Sequence, residues 1–403
     1  MIEISKININ AQIEKLRSYI ETCNFAGYDP YDALNSPCLR LLAGKSKWSR
    51  IAFIQALKRL PVNVRPILGI HKGHNAKGLG LILWGYSKLY NVEKNSKYLA
   101  KIHYLLSLLN ELKSQGYAGN CWGYNFDWQN RVFFLPKYTP TVVNSSFIGH
   151  ALIDTYEYTK IRNALDMAIS IKDFILNDLK RCKENGTFCF SYSPMDSSKV
   201  HNANLLGASL LIRLYGLTGI QELKDTAIAS LQYSLKYQCQ DGSWYYGQSD
   251  VQHWIDSFHT GFNLQSILYF LKEGFEEYRV AFEKGIKFYA DSFFLKDGTP
   301  KYYHDSIYPI DIHSSSQAIV LLSALLPKYR SLLNSVTRWM LLNLCDPKGY
   351  FYFQKTKYYL NKISYMRWSQ SWAFHGLTSF LLGSEWGQGL ISDSERCLSN
   401  IVI

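Results

Sequence analysis

Hydrophobic positions along the chain fall into a recurring two-part pattern. The first part opens on small, polar or histidine residues and runs into an apolar stretch: HNAKGLGLILWGYSKLY from His74, NSSFIGHALIDTYEYT from Asn144, HNANLLGASLLIRLYG from His201, HTGFNLQSILYFLKEG from His259, HSSSQAIVLLSALL from His313 and SQSWAFHGLTSFLLG from Ser369. These six segments start about 55 to 70 residues apart, the sort of spacing that marks a repeat architecture. Their glycine, alanine and serine residues permit close helix packing. The second part follows each of the first five segments and carries more charge, over 95–115, 160–182, 221–238, 275–294 and 327–344. There apolar residues recur at three- and four-residue steps, as in Leu223, Ala227, Ile228, Leu231 and Leu235, the signature of an amphipathic surface helix. A helix over 47–60 supplies a sixth outer partner.

Six inner and six outer helices close into an all-α (α/α)6 toroid of helical hairpins. An open solenoid is the structural alternative. The whole of 1–403 is expected to be one domain, with 1–46 as an N-terminal helical extension and 385–403 as a C-terminal tail. Inner-to-outer turns are short. Outer-to-inner connections are long and open alike, on glycine followed by aromatics: GYAGNCWGYNF at 116, GTFCFSY at 186, GSWYYG at 242, GTPKYY at 298 and GYFYF at 349. Glycine followed by alternating aromatics predicts turns and short β-hairpin-like strands, all at one face. Loops carried on a rigid scaffold are where function tends to sit.

Composition narrows the picture. At 47% hydrophobic residues the chain has far more apolar material than a disordered polymer tolerates, and its length is enough for a large core without staples. No apolar run approaches the roughly 18 residues of a membrane span, and MIEISKININAQIEKL has no signal-peptide core. The eight cysteines form no CxxC, which argues against zinc ribbons and redox pairs; with no export signal they read as reduced thiols in a cytoplasmic protein. The net charge of +12 suits a polyanionic partner. Its basic residues are spread along the chain, with no nucleic-acid-binding module, so nucleic acid is not the expected partner.

Candidate chemistry collects in the long connections and the first turns of the inner helices. Nine of the ten histidines lie there: His71, His74, His150, His201, His253, His259, His304, His313 and His375. The same places hold Trp122, Trp128, Trp244, Trp254, Trp368 and Trp372, and the carboxylates Asp127, Asp196, Asp250, Asp256, Asp305 and Asp311. Helix N-termini there turn partial positive charge and free N–H groups toward a ligand. Arg131 and Arg367 can clamp a carboxylate, sulfate or phosphate at two points. Flat aromatic platforms beside carboxylates and histidines suit sugar rings; the same aromatics would suit an isoprenoid chain. The triplet His253, Asp256 and His259 would share a helix face, but no metal motif such as HExxH occurs, and no metal or cofactor is expected.

The repeat of glycine–aromatic loop and inner helix resembles the alpha-toroid superfamily, whose members include terpene cyclases, protein prenyltransferases, glycoside hydrolases, polysaccharide lyases and glucuronyl C5-epimerases. QCQDGSW at 238–244 is similar to the QW repeat of squalene-type cyclases. The DxDD acid, the DDxxD diphosphate motif and the prenyltransferase zinc set have no match. CWGYNFDWQNR from Cys121, continuing to TPTVVNSSFIGHALIDTYEYT, resembles uncharacterised toroids encoded with bacterial surface-polysaccharide enzymes. That resemblance implies a setting, glycan assembly, rather than a reaction.

The expected function is that of a carbohydrate-active enzyme of cell-surface polysaccharide biosynthesis acting on an acidic oligo- or polysaccharide. Hydrolysis needs two carboxylates flanking the bond. Elimination or C5 epimerisation needs a base near the C5 proton and a cation on the carboxylate. The candidate acids and bases are His201, His259, His313, Tyr303, Asp127 and Asp256. The candidate substrate-binding residues are Arg131, Arg367, Trp122, Trp128, Trp244, Trp254, Trp368 and His375. A terpenoid cyclase or prenyltransferase-like enzyme is the alternative, and a non-catalytic glycan-binding scaffold a third reading.

Overall fold

The computed structural model describes residues 9–383; the tail at 385–403 lies outside them. The inner helices are α4 (Ala76–Glu93), α6 (Val142–Thr159), α8 (His201–Thr218), α10 (Ser257–Lys272), α12 (Ile312–Ser323) and α14, which follows a π-helical segment at Met366–Gln370 and occupies 371–383. Each touches the next, and the π segment reaches both α12 and α4, so the ring closes. Inner positions are buried almost without interruption: in α8, every residue from His201 to Leu214. The outer helices α5 (Ser96–Glu111), α7 (Arg162–Asn177), α9 (Gln221–Lys236), α11 (Arg279–Ser292) and α13 (Arg330–Asn343) bury one stripe each. One continuous core runs from Ile13 to Leu377. The architecture is the six-hairpin toroid expected from the repeat. No helix among the described residues is long and apolar enough to cross a membrane.

The sixth outer place is not taken by the helix at the 47–60 segment. It belongs to α1 (Ile9–Thr22), whose Ile13, Leu16 and Ile20 are buried. The glycine-led turns show why. Gly242 (φ +94°) and Gly298 (φ +89°) lie so close to the backbone of the neighbouring outer helix that a Cβ would sit 2.4 Å from Lys284 of α11 and from Ser335 of α13. Gly349 (φ +95°) docks on Lys15 of α1, where a Cβ would sit 2.5 Å from the Lys15 Cβ and 3.0 Å from its carbonyl carbon. Each turn therefore docks on the next outer helix, and only glycine offers both the left-handed φ and the missing side chain. Short α2 (Pro37–Ala43) and α3 (Lys47–Arg59) instead stand on the loop face. There Ile54 and Leu57 join a small core with Ala33, Leu34 and Ile70 that packs on Trp128 and Phe134.

Short strands line that face. β1 (Trp128–Gln129) pairs with β2 (Phe134–Leu135), and β3 (Arg181–Glu184) with β4 (Thr187–Phe190). Strand β5 (Ile310–Asp311) pairs antiparallel with β6 (Gln354–Lys355), which pairs with β7 (Leu360–Asn361). The segment 181–182, read as the end of a helix, is strand β3.

Candidate active site

The N-terminal ends of the inner helices converge under these loops. Asn75, Thr141, Asp256 and Asp311 cap α4, α6, α10 and α12 with their side chains. Asp256 is nearly fully buried. It accepts the backbone N–H of His259 at 3.0 Å, the indole N–H of Trp254 at 3.0 Å and His259 Nδ1 at 2.6 Å. A carboxylate can only accept, so Nδ1 carries a proton, and in the neutral ring Nε2 is the nitrogen that holds the lone pair. The His259 side chain is 22% exposed, and its Nε2 bonds to no described residue. Tyr246 stacks on Trp254 at 4.5 Å and lies 4.6 Å from the His259 ring.

His313 stands next to this pair. It is buried among Phe258, Trp368, Trp372 and Phe262, and neither ring nitrogen has a partner. Burial, with Lys77, Arg367 and His259 close by, pushes its pKa well down, so the ring is neutral. Lys77 projects from the first turn of α4, with Nζ 4.1 Å from the centre of Phe147 and 5.5 Å from those of Phe262 and Trp372. Burial and then Arg367 push the Lys77 amine well below the usual lysine range, against Asp29. Phe147, Phe262 and Trp372 pack on one another at about 5 Å and form the floor.

The remaining walls are aromatic. Trp368 lies 5.5 Å from Tyr31, Tyr31 lies 6.4 Å from Trp128, and Trp128 touches Tyr124 and Tyr192. Lys58 donates to the Tyr31 hydroxyl at 2.8 Å. Tyr303 sits beside Asp256 through a backbone bridge. Burial pushes its phenol up to about 12, Asp256 adds to the rise and the nearby Arg131 opposes it; the hydroxyl therefore keeps its proton. Arg131 is exposed at the tip of the β1–β2 hairpin. Arg367 is buried and held by Asp29 through two bonds of 2.5 and 2.7 Å, so its fork is already occupied by a carboxylate. Asp311 accepts from the His313 N–H, Trp368 and Gln354, and burial raises its pKa to about 6.

Of the sequence candidates, His259, Asp256, His313, Tyr303, Trp128, Trp254, Trp368, Arg131 and Arg367 come together here. Five do not. Trp122 and Trp244 are core residues whose indole N–H groups bond the carbonyls of Leu109 and Ser234; an interior ring has no face to offer a sugar. His201 is buried between Ser234 and Gln248, which take its two nitrogens, and burial lowers its pKa to about 4. Asp127 accepts the Lys137 N–H and closes its own hairpin. His375 lies too far along α14 to reach the loop face and bonds Lys88 at 3.1 Å. Sequence reasoning passed over Asp29, Tyr31, Lys58, Tyr246 and Lys77. Two of these had a signal: Lys77, as a lysine at the mouth of an apolar inner segment, and Tyr246, within the glycine–aromatic loop at 242.

The ring has solved counterparts in its fold. The cellobiose 2-epimerase from Bacillus thermoamylovorans B4167 superposes with a TM-score of 0.63 at 14% identity, over 93% of this chain and 99% of that one. A family 76 glycoside hydrolase from a bovine Bacteroides thetaiotaomicron strain gives 0.61 at 13%, over 96% and 80%. A D-mannose isomerase gives 0.57 at 12%, over 77% and 87%. The chain has the toroid fold of these enzymes. No family model matches it, and no curated protein matches it in sequence. Among the described residues, no three His, Cys, Asp or Glu side chains are grouped to hold a metal ion.

Proposed function

We propose that this chain is a carbohydrate-active enzyme that moves a proton on a sugar carbon, an epimerase or lyase, with an acidic glycan of surface-polysaccharide assembly as substrate. The observation that carries the reading is the Asp256–His259 dyad: one nitrogen held by a buried carboxylate, the other open to an aromatic cleft. That is the arrangement of a general base. Tyr303 supplies a protonated phenol beside it. The neutral His313 and the buried Lys77 amine, neither with a hydrogen-bond partner among the described residues, can bond sugar oxygens or a developing enolate.

Two features favour proton transfer on an acidic sugar over hydrolysis of a neutral one. Hydrolysis calls for two carboxylates facing the bond, whereas Asp256, Asp29 and Asp311 are each committed to protein donors. Lys58 and Arg131 carry no ion pair among the described residues, which leaves two cations at the cleft for a carboxylate. The polar groups beside that aromatic floor, His259, His313 and Lys77, weigh against an isoprenoid substrate. The fold neighbours named for sugar epimerisation and isomerisation are in keeping with the reading. Beside the β1–β2 hairpin, a hollow of about 600 Å³ lined by Phe133, Asp196, Lys199 and Gln248 gives room for further sugar units.

The test is solvent exchange. Uronate-containing and carboxyl-reduced oligosaccharides are incubated with the protein in D2O and followed by mass spectrometry. Deuterium on carbon in the acidic oligosaccharide, the mark of an epimerase, or cleavage to an unsaturated product without added water, the mark of a lyase, either one lost in His259→Gln, supports the reading. Cleavage with water and no carbon-bound deuterium makes the protein a hydrolase. Binding with neither outcome makes it a scaffold.

A further inference from the structure

The opposite end of the ring holds a second cavity, of about 490 Å³, lined among others by Trp84, Asp154, Tyr269, Lys272, Arg330 and Ser379. It is separated from the cleft by the floor of Phe147, Phe262 and Trp372. Lys88 and Asp154, which line the cavity, and Arg213, which bonds Asp154, stand at a shared height: each is the thirteenth residue of its inner helix, α4, α6 and α8. Charge at this depth in helices buried on all sides is costly unless it is paired or used.

The pairing is incomplete. Asp154 is fully engaged, accepting from Trp84 at 2.5 Å and Arg213 at 2.6 Å; Arg213 also reaches Glu157 at 3.5 Å. Lys88 is buried and donates to Ser379 at 2.6 Å and to His375, with no carboxylate bonded to it. Lys272 and Arg330 stand at the mouth and carry no ion pair among the described residues. Carbonyl ends of the inner helices also point toward this end and place partial negative charge there. That offsets part of the basic surplus and leaves Lys272 and Arg330, at the mouth, as the groups with charge to spare. Tyr158 gives a flat wall, Trp84 and Tyr269 are packed against His150, His375 and Arg213 behind it, and Gln265, Ser323 and Ser379 give hydrogen-bonding groups.

We propose that this cavity is a second ligand site, independent of the loop-face cleft, for a single sugar ring bearing one anionic group, a carboxylate or a phosphate. The ring lies against Tyr158, its hydroxyls bond Gln265, Ser323 and Ser379, and the anion meets Lys272 and Arg330. The volume is within the range of small-molecule pockets and too small for a long glycan. The cavity opens on the face away from the dyad, so its occupant is an effector or a carried ligand, not the reacting sugar.

Calorimetry of the full chain with glucuronate, glucose 6-phosphate, glucose and inorganic phosphate tests this. Binding of glucuronate or of glucose 6-phosphate is expected, with glucose and inorganic phosphate each weaker by about tenfold or more. The stronger of the two anionic sugars tells carboxylate from phosphate. The double variant Lys272→Gln, Arg330→Gln, both at exposed positions, should lose that binding, and His259→Gln should keep it. Loss in His259→Gln with retention in the double variant would assign the binding to the cleft and overturn the proposal. Inorganic phosphate binding as well as glucose 6-phosphate, or no binding by either anionic sugar, would overturn it too.

Discussion

Two histidines that the sequence presents alike, each at the start of an apolar segment, have opposite roles. His201 spends both nitrogens on Ser234 and Gln248 and is held neutral by burial. His259 spends one on Asp256 and leaves the other open. What separates them is the residue before the helix: Asp256 caps α10 and holds the ring, whereas Val200 precedes α8 and gives no side-chain cap. His259→Gln is therefore expected to lower turnover by about a hundredfold or more with little change in melting temperature. His201→Ala should leave the buried Ser234 hydroxyl with Asn204 as its remaining partner and release the half-buried Gln248 amide, cost about 1–3 kcal/mol, and keep most of the turnover per folded molecule. Parallel assays and thermal melts separate the pair; equal loss of turnover in both would remove the distinction.

At the scale of elements, the glycine–aromatic loops were legible as a repeat but not in their purpose. The aromatics after each glycine suggest sugar platforms; the structure uses Trp122 and Trp244 as wedges between inner and outer helices. Gln238 completes the wedge by bonding the Gly242 carbonyl and the Ala281 carbonyl of α11. Periodicity could show neither role, because a buried and an exposed tryptophan read the same along a chain. Of the tyrosines at the cleft, Tyr124 and Tyr246 come from the same glycine–aromatic loops, two residues after the wedge tryptophans Trp122 and Trp244, and Tyr31 comes from the segment before α2, which has no repeat signal. Inner and outer helices were read within a few residues because their apolar periods differ. The place of α1 was missed because its three core residues make a short stripe. Gly298→Ala should clash with the Ser335 backbone and strain a φ of +89°, costing about 2 kcal/mol or more. Chemical denaturation would show it, with the Gly186→Ala change as a control, since there the φ is also positive but nothing lies within 4 Å.

At the scale of the molecule, the ring carries buried charge near its far end, and that shapes stability. Lys88 is the clearest case: burial pulls its pKa down from 10.5 to about 7, Asp154 opposes the fall and Lys272 adds to it; the facing His375 is itself held neutral by burial. Between pH 7 and 10.5 the unfolded chain keeps this proton and the folded chain has shed it. The unfolded state then binds more protons, so the Lys88 contribution to stability rises with pH across that window. Below pH 7 both states are protonated and the cost of the buried charge stands in full. Lys88→Met removes the charge and, at every pH, the bonds to Ser379 and His375. The lost bonds shift stability by a constant; the lost charge changes its slope. Urea unfolding at pH 6, 7.5 and 9 should therefore find the variant gaining on the wild type toward acid and falling behind toward base. A difference that stays the same at all three values would mean that Lys88 is charged throughout, with its charge balanced by Asp154.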